Sequence, residues 1–247
     1  MKEVIIGNPF IELDEVGSTN DVAKSPFEKG EISEGTAWHA QFQNKGKGQR
    51  GKTWMAKSGD NINLSFILYP KMLKPTETFV LNMVISLAVY DLIKEIAGAD
   101  VCIKWSNDIY FKDKKVCGIL IENHFRGKEW EYAIIGIGVN LNQETFDNAL
   151  PNPISLRQIT GKKWNPVLMA KRVCKCITSR YHNIEREAIL KTYEQQLFWL
   201  NKPGLFQKEE EKFEATIRSV QPDGTLVLER DKKLMEVTFG EIKFLVG

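Results

Sequence analysis

Residues 79–96 form the most apolar stretch of the chain, and whatever buries that stretch decides what the chain can become. It is near the length of a membrane span, yet it carries Asn82, Ser86, Asp91, Lys94 and Glu95. Its apolar residues recur at helical spacing toward the polar end, so it reads as a buried helix, near 76–97, of a soluble domain. A chain of 247 residues can enclose such a helix in one sizeable domain, with or without a small appendage. With 43% apolar and 27% charged residues, wholesale disorder and a fibrous repeat are excluded. The first nine residues are no signal peptide, because their apolar run is short and broken by Gly7 and Pro9. The expected compartment is the cytoplasm. Lys plus Arg is 34 and Asp plus Glu is 32, so the net charge is +2, which speaks against binding DNA or a membrane by bulk basicity.

Short strand-like runs surround the helix, at 4–6, 10–15, 35–42, 63–68, 101–105, 116–122 and 132–141. Ser18-Thr19-Asn20-Asp21 supplies N-cap chemistry for a helix through Val22-Ala23-Lys24. Residues 44–63 read as a long polar Gly-rich loop and 142–165 as a second loop region. Residues 166–199 read as helical, with Pro166 near the start. The composition breaks at Lys202-Pro203-Gly204. Beyond it, 213–220, 226–229 and 234–239 alternate like short strands joined by turns. This assigns 1–200 to a main domain and 203–247 to a small β domain, marginal alone and so docked on the main body.

Four cysteines lie outside any C-x-x-C pair, and three scattered histidines have no second metal ligand nearby, so neither a zinc site nor a disulfide framework is expected. The chemistry concentrates elsewhere. Residues 45–57 read Lys-Gly-Lys-Gly-Gln-Arg-Gly-Lys-Thr-Trp-Met-Ala-Lys, five cations and no acid. Glycines let backbone N–H groups approach a ligand, and the cations offset an anion, which is what a phosphate chain requires. A solvated basic loop is the bland alternative. The same residues fit the P-loop formula from Gly46 to Thr53, but turn residues and a strand follow where a P-loop needs a helix.

Ile103-Lys104-Trp105-Ser106-Asn107-Asp108 puts a lysine at the end of an apolar strand. Such a lysine pairs with Asp108, snorkels, or faces a carboxylate or phosphate, and spacing alone does not choose. The glycines of Gly136-Ile137-Gly138-Val139-Asn140 mark either a strand irregularity or a close approach to a ligand.

Taken together, these motifs resemble biotin protein ligases. Ser18-Thr19-Asn20 is similar to the family's S-T-N, and Gln43 with Gly46 through Trp54 to its G-R-G-R-x-G-R-x-W loop. Lys104-Trp105-Ser106-Asn107-Asp108 is similar to K-W-P-N-D, residues 116–122 to the A-G-I-L-I/V-E strand, and residues 136–140 to G-x-G-[IV]-N. The resemblance implies an α+β fold: a mixed sheet flanked by helices, of class II synthetase type, with a C-terminal SH3-like β-barrel. It implies ATP-dependent biotinylation of a lysine on a biotin carboxyl carrier protein through biotinyl-5′-AMP, with Mg²⁺. By the same resemblance Ser18, Thr19, Asn20, Gln43, Lys47, Gly48, Gln49, Lys104 and Gly118 contact biotin. Arg50, Lys52, Trp54, Lys104, Asn107 and Asn140 contact ATP, and Lys104, Lys47 and Lys52 are catalytic. No resident metal site, no DNA and no membrane partner is expected, and the chain acts as a monomer or homodimer. With Ser18 so near the start, the family's DNA-binding N-terminal domain is not expected here.

Departures from the pattern are instructive. Lys47 and Lys52 keep charge where the family has arginine but lose planar bidentate contacts, and Gln49 removes a cation that would hold the adenylate. Rival readings are a lipoate ligase, whose R-R-x-x-G-G-G pattern is absent, a P-loop nucleotidase, and a non-catalytic biotin-binding module.

Overall fold

The structure, a computed structural model, describes residues 4–28 and 32–246. In chain order the first elements are β1 (Phe10–Val16), α1 (Thr19–Glu28), β2 (Ala37–Gln43), β3 (Asn61–Leu68) and α2 (Thr78–Ala97). Then come β4 (Val101–Lys104), β5 (Asp108–Phe111), β6 (Lys114–Arg126) and β7 (Glu129–Asn140). The helices α3 (Leu156–Thr160), α4 (Pro166–His182) and α5 (Arg186–Gln195) precede β8 (Pro203–Lys208), β9 (Glu211–Val220), β10 (Leu226–Arg230), β11 (Lys233–Val237) and β12 (Lys243–Phe244).

The first seven strands make one sheet in the order β1-β2-β3-β7-β6-β5-β4. Only β1 and β2 run parallel, and α1 is the crossover that a parallel pair requires. The remaining neighbours are antiparallel. Helix α2 packs on β4, β5 and β6, with α4 and α5 laid over it, so it is apolar on nearly all sides because it is enclosed on nearly all sides. Three of its polar residues find partners: Asn82 donates to the Ser106 carbonyl at 3.0 Å, and Asp91 and Glu95 pair with Arg180 and Arg172. Among the described residues no helix is long and apolar enough to cross a membrane.

Strand β3 is buried along its whole length. Ile62, Leu64, Phe66 and Leu68 join the core beneath α2, while Asn61, Asn63 and Ser65 alternate to the opposite face. Ile67 continues that second face into a small cluster with Ala23 of α1, Trp38, Tyr132 and Ile134. Helix α1 thus covers only one end of that face, and the polar end is left for the loop of residues 44–57.

The last five strands form a second, antiparallel sheet, in the order β11-β10-β9-β8-β12. It is not independent of the main body. The Trp105 indole donates to the Gly224 carbonyl at 3.0 Å, Leu200 bridges to Ile217, and the core residues Phe206, Phe213 and Ile217 belong to the main cluster.

Four local expectations are corrected. Residues 4–6 form no strand; Gly7 takes φ 88° and its N–H bonds the Gly35 carbonyl, which turns the chain before Phe10. Residues 166–199 are two helices, because Asn183 caps α4 and its amide bonds the Ser179 carbonyl. The 142–165 region contains α3, opened by a Ser155/Gln158 capping box and closed by Gly161 at φ 72°. Strand β5 follows Asn107 directly and was not anticipated.

His39 of β2 is fully buried and stacked on Phe10. Burial lowers its pKa from 6.5; Glu12 and the Asn61 backbone oppose that, and Lys171 adds to it. A folded value below the unfolded one means that stability is complete above the unfolded value and is lost as pH falls through the folded one. His39→Phe keeps the stack, so it is expected to flatten the drop in urea midpoint between about pH 7.5 and pH 5. An unchanged drop would assign the acid sensitivity elsewhere.

Candidate active site

The chain leaves β1 at Gly17 and turns into α1, with the Ser18 carbonyl accepting from the Val22 N–H at 3.1 Å. Ser18, Thr19 and Asn20 are therefore buried in the helix's opening turn, against the polar end of β3. The Gln43 side-chain oxygen accepts from the Thr19 N–H at 2.7 Å and from its hydroxyl at 3.0 Å. Gln43 Nε2 donates to Asn63 at 3.3 Å, and Asn63 donates to the Ala40 carbonyl at 3.2 Å. The Ser65 hydroxyl lies 2.6 Å from both the Thr19 hydroxyl and Asn20 Oδ1, and Asn20 Nδ2 donates to Glu122 at 2.6 Å. Four of the residues expected to contact biotin thus gather in one neutral, hydrogen-bonding wall. Asn63, Ser65 and Glu122 belong to it as well, and the only sequence signal for the first two was polar residues alternating through β3.

The basic loop is a hairpin. Lys47 bridges to Thr53, the Gly48 N–H donates to the Lys52 carbonyl at 2.7 Å, and the Trp54 N–H to the Gly46 carbonyl at 2.9 Å. Arg50 turns the tip with φ 55° and ψ 42°. Because Thr53 sits in a hairpin and not at a helix start, the P-loop reading falls. A cleft of about 630 Å³ is lined by Lys45, Lys47, Lys52, Leu120 and Glu122, among others. Lys47 pairs with Asp21, and that contact raises its pKa. The Arg50 guanidinium is instead bound to the Gly240 carbonyl at 2.7 Å, on the C-terminal sheet's side.

The Trp54 indole lies on the sheet where β6 and β7 carry Gly118 and Gly138 opposite one another. A Cβ at Gly138 would stand 2.3 Å from the indole, and one at Gly136 would stand 2.4 Å from Asn20 Oδ1. The two glycines therefore make room for Asn20 and Trp54. Asn140 is buried, with its amide on the Lys115 carbonyl at 3.2 Å.

Lys104 ends β4 opposite Asp108, but Asp108 pairs with Lys115 at 2.7 Å. The Lys104 ammonium is left at 3.2 Å from the Tyr110 hydroxyl, 5.1 Å over the Tyr110 ring and 5.2 Å over Phe244. Burial lowers its pKa; Asp108 opposes this, while Lys115 and Lys52 push it further down. Among the described residues, neither Lys104 nor Lys52 has a carboxylate in ion-pair range. Lys104 and Lys115 thus share one aspartate, with the Lys52 charge acting on Lys104, an arrangement relieved by an added anion. Lys115 of β6 belongs to none of the sequence motifs, and its place beside Asp108 follows from the pairing of β5 with β6. Gln49 and Asn107 bind each other at 2.8 Å, and both reach the Ile119 carbonyl, so they stand on the side of a second cleft of about 320 Å³ beneath Phe239.

Residues 13–140 match the biotin/lipoate A/B protein ligase family. The bifunctional ligase/repressor BirA of Bacillus spizizenii is 31% identical over 188 residues, covering 74% of this chain and 57% of its own length. The chain therefore spans little more than half of that relative. The biotin protein ligase of Aquifex aeolicus, solved with biotin and ATP, superposes with TM-score 0.79 at 27% identity, covering 96% of this chain and 98% of that one. The Leishmania major biotin protein ligase, solved with biotinyl-5-AMP, gives TM-score 0.65 at 25% identity, over 92% and 98% of the two chains.

Gly138→Ala is expected to destabilise the fold by about 1–3 kcal/mol, since the indole is overpacked. The loss should shrink in a Trp54→Ala background, whereas Gly17→Ala, with no atom within 4 Å of the added Cβ, should be near neutral. Denaturant midpoints of the four variants check this; equal losses at 138 and 17 would contradict it.

Proposed function

This chain belongs to the biotin/lipoate A/B protein ligase family, and from that premise we propose that it joins biotin to a lysine of a biotin carboxyl carrier protein. The observation that carries the reading is that a neutral hydrogen-bonding wall (Thr19, Asn20, Gln43) meets, through Glu122, a cleft lined by Lys45, Lys47 and Lys52. A ureido ring needs the first, and a carboxylate brought against a triphosphate needs the second. The named relatives, biotin protein ligases solved with biotin, ATP or biotinyl-5-AMP, support it.

In the first step a biotin carboxylate oxygen attacks the α-phosphorus of ATP, the bond to the β-phosphate breaks, and pyrophosphate leaves. In the second, the neutral amine of the acceptor lysine attacks the acyl carbon, the bond to AMP breaks, and the amine's proton passes to solvent. Two anions must approach in the first step, so cations offset their repulsion and hold the line of attack. Lys104 takes the position between carboxylate and α-phosphate, with Lys47, Lys52 and, on release from Gly240, Arg50 toward the phosphates. Ser18, Thr19, Asn20, Gln43 and Gly48 face biotin and Gly118 floors its slot. Trp54, Asn107 and Asn140 stand on the nucleotide side, and Gln49 bears on adenylate retention. An unpaired polar group buried in this wall would cost about 1–3 kcal/mol. Residues 1–200 act as the catalytic domain and 203–247 as a β domain docked on it, working in the cytoplasm as monomer or homodimer.

Mg²⁺ belongs with the triphosphate. Among the described residues no three potential ligands gather, and Asp21 and Asp108 are committed to Lys47 and Lys115. The donor set thus fits an ion held mainly through phosphate and water, where it shares the charge of the leaving group.

Lys104→Ala is expected to lower biotin-dependent exchange of pyrophosphate into ATP by about a hundredfold or more. Near wild-type exchange would refute the assignment, and exchange driven by lipoate in competition would move the substrate. Gln49→Arg supplies a cation where the chain has an amide, and should lengthen the half-life of bound biotinyl-AMP by about tenfold, read by chasing labelled adenylate.

A further inference from the structure

Glu122 is the one carboxylate in the neutral wall, and its position fixes which way the wall's hydrogen bonds run. A carboxylate only accepts, so Asn20 must turn its NH₂ toward Glu122, and the contact is 2.6 Å. Asn20 Oδ1 is thereby aimed at Ser65, whose hydroxyl lies 2.6 Å away, and that oxygen also fills the space kept open by Gly136. Further along, the Gln43 oxygen is held by the Thr19 N–H and hydroxyl, so its NH₂ points to Asn63. Every amide oxygen of the relay is consumed inside the protein. From the amide groups of Asn20, Gln43 and Asn63, what remains for a ligand are N–H hydrogens, one on Asn20 Nδ2 foremost.

We propose that Glu122 is a positioning residue that sets this donor polarity, so that the site selects a ring with an outward carbonyl oxygen, the ureido group of biotin. The inference rests on the reading of the wall as the biotin site. Glu122 itself touches no reacting atom in this scheme. Lys47, which shares the cleft with it, is already paired with Asp21, and the hydrogen bond Glu122 makes is to Asn20. Replacing it with glutamine keeps shape but lets the 122 side chain donate, which frees Asn20 to turn its oxygen outward.

The experiment measures binding of biotin and of 2-iminobiotin by calorimetry on the full chain, with KM for ATP from pyrophosphate exchange. Iminobiotin carries a donating guanidinium nitrogen where biotin carries the accepting oxygen. Glu122→Gln should weaken biotin by about tenfold and shift the biotin-to-iminobiotin preference toward iminobiotin by a similar factor. KM for ATP should stay within about twofold of its starting value; a Glu122 that merely balanced the lysines would move it instead. Asn20→Asp sets two carboxylates face to face and should bind biotin worse still. The double variant Asn20→Asp with Glu122→Gln restores the contact between the two side chains but still lacks the Asn20 N–H, so it should not recover the biotin affinity of the starting protein. The preference ratio does not depend on the fraction of folded protein, so it stays readable if a variant is unstable. Wild-type protein that binds no biotin overturns the reading of the site. Wild type that binds biotin, with an unchanged ratio in Glu122→Gln or full recovery in the double variant, overturns the role of Glu122 alone.

Discussion

The burial of β3 on both faces is the constraint on which the rest depends. One face must be apolar, because α2 and α4 close over it. The other holds Asn61, Asn63 and Ser65 at less than 2% exposure, and polar groups so buried must be hydrogen-bonded or the strand is not stable there. Their partners come from everywhere else: Gln43 from β2, Thr19 and Asn20 from the turn into α1, Gln143 from beyond β7. The neutral wall is thus a by-product of satisfying the strand, its hydrogen bonds made within the protein.

Charge follows a different logic from the neutral wall. A chain whose total is +2 gathers Lys45, Lys47 and Lys52 along one cleft and keeps Lys104 and Lys115 around a single aspartate. Arg50 is withheld from this field by the Gly240 carbonyl, and Trp105 and Lys104 also touch the C-terminal sheet, through Gly224 and Phe244. Two segments, the basic hairpin and the end of β4, therefore lean on that small sheet, so its docking matters to both as well as to the core.

Much was legible in local sequence. The enclosed helix α2, the alternation of β3, the turn chemistry of the C-terminal strands and the cationic hairpin segment all have periodicities or compositions that name them. The Ser155/Gln158 capping box was equally legible, although a Pro- and Asn-rich background hid it. Strand β5 is four residues long between a polar turn and a polar tip, too short for a period to establish itself. The split between α4 and α5 turns on one asparagine whose amide finds the Ser179 carbonyl, while the apolar spacing runs on without a break.

The sequence by itself determined the residue types: a neutral amide and hydroxyl set, a glycine-spaced basic segment, a lysine at a strand end, and glycines two apart in a late strand. Only the tertiary structure decided their partners. Asp108 takes Lys115 and leaves Lys104 to Tyr110 and Phe244, and the glycines of β7 admit Asn20 and Trp54. Glu122 meets an asparagine 102 residues away. The reason is that strand order places β7 beside β3 and β6 beside β7, and local spacing carries no record of that order. A side chain's chemistry is written at its own position, whereas its partner is set by the sheet.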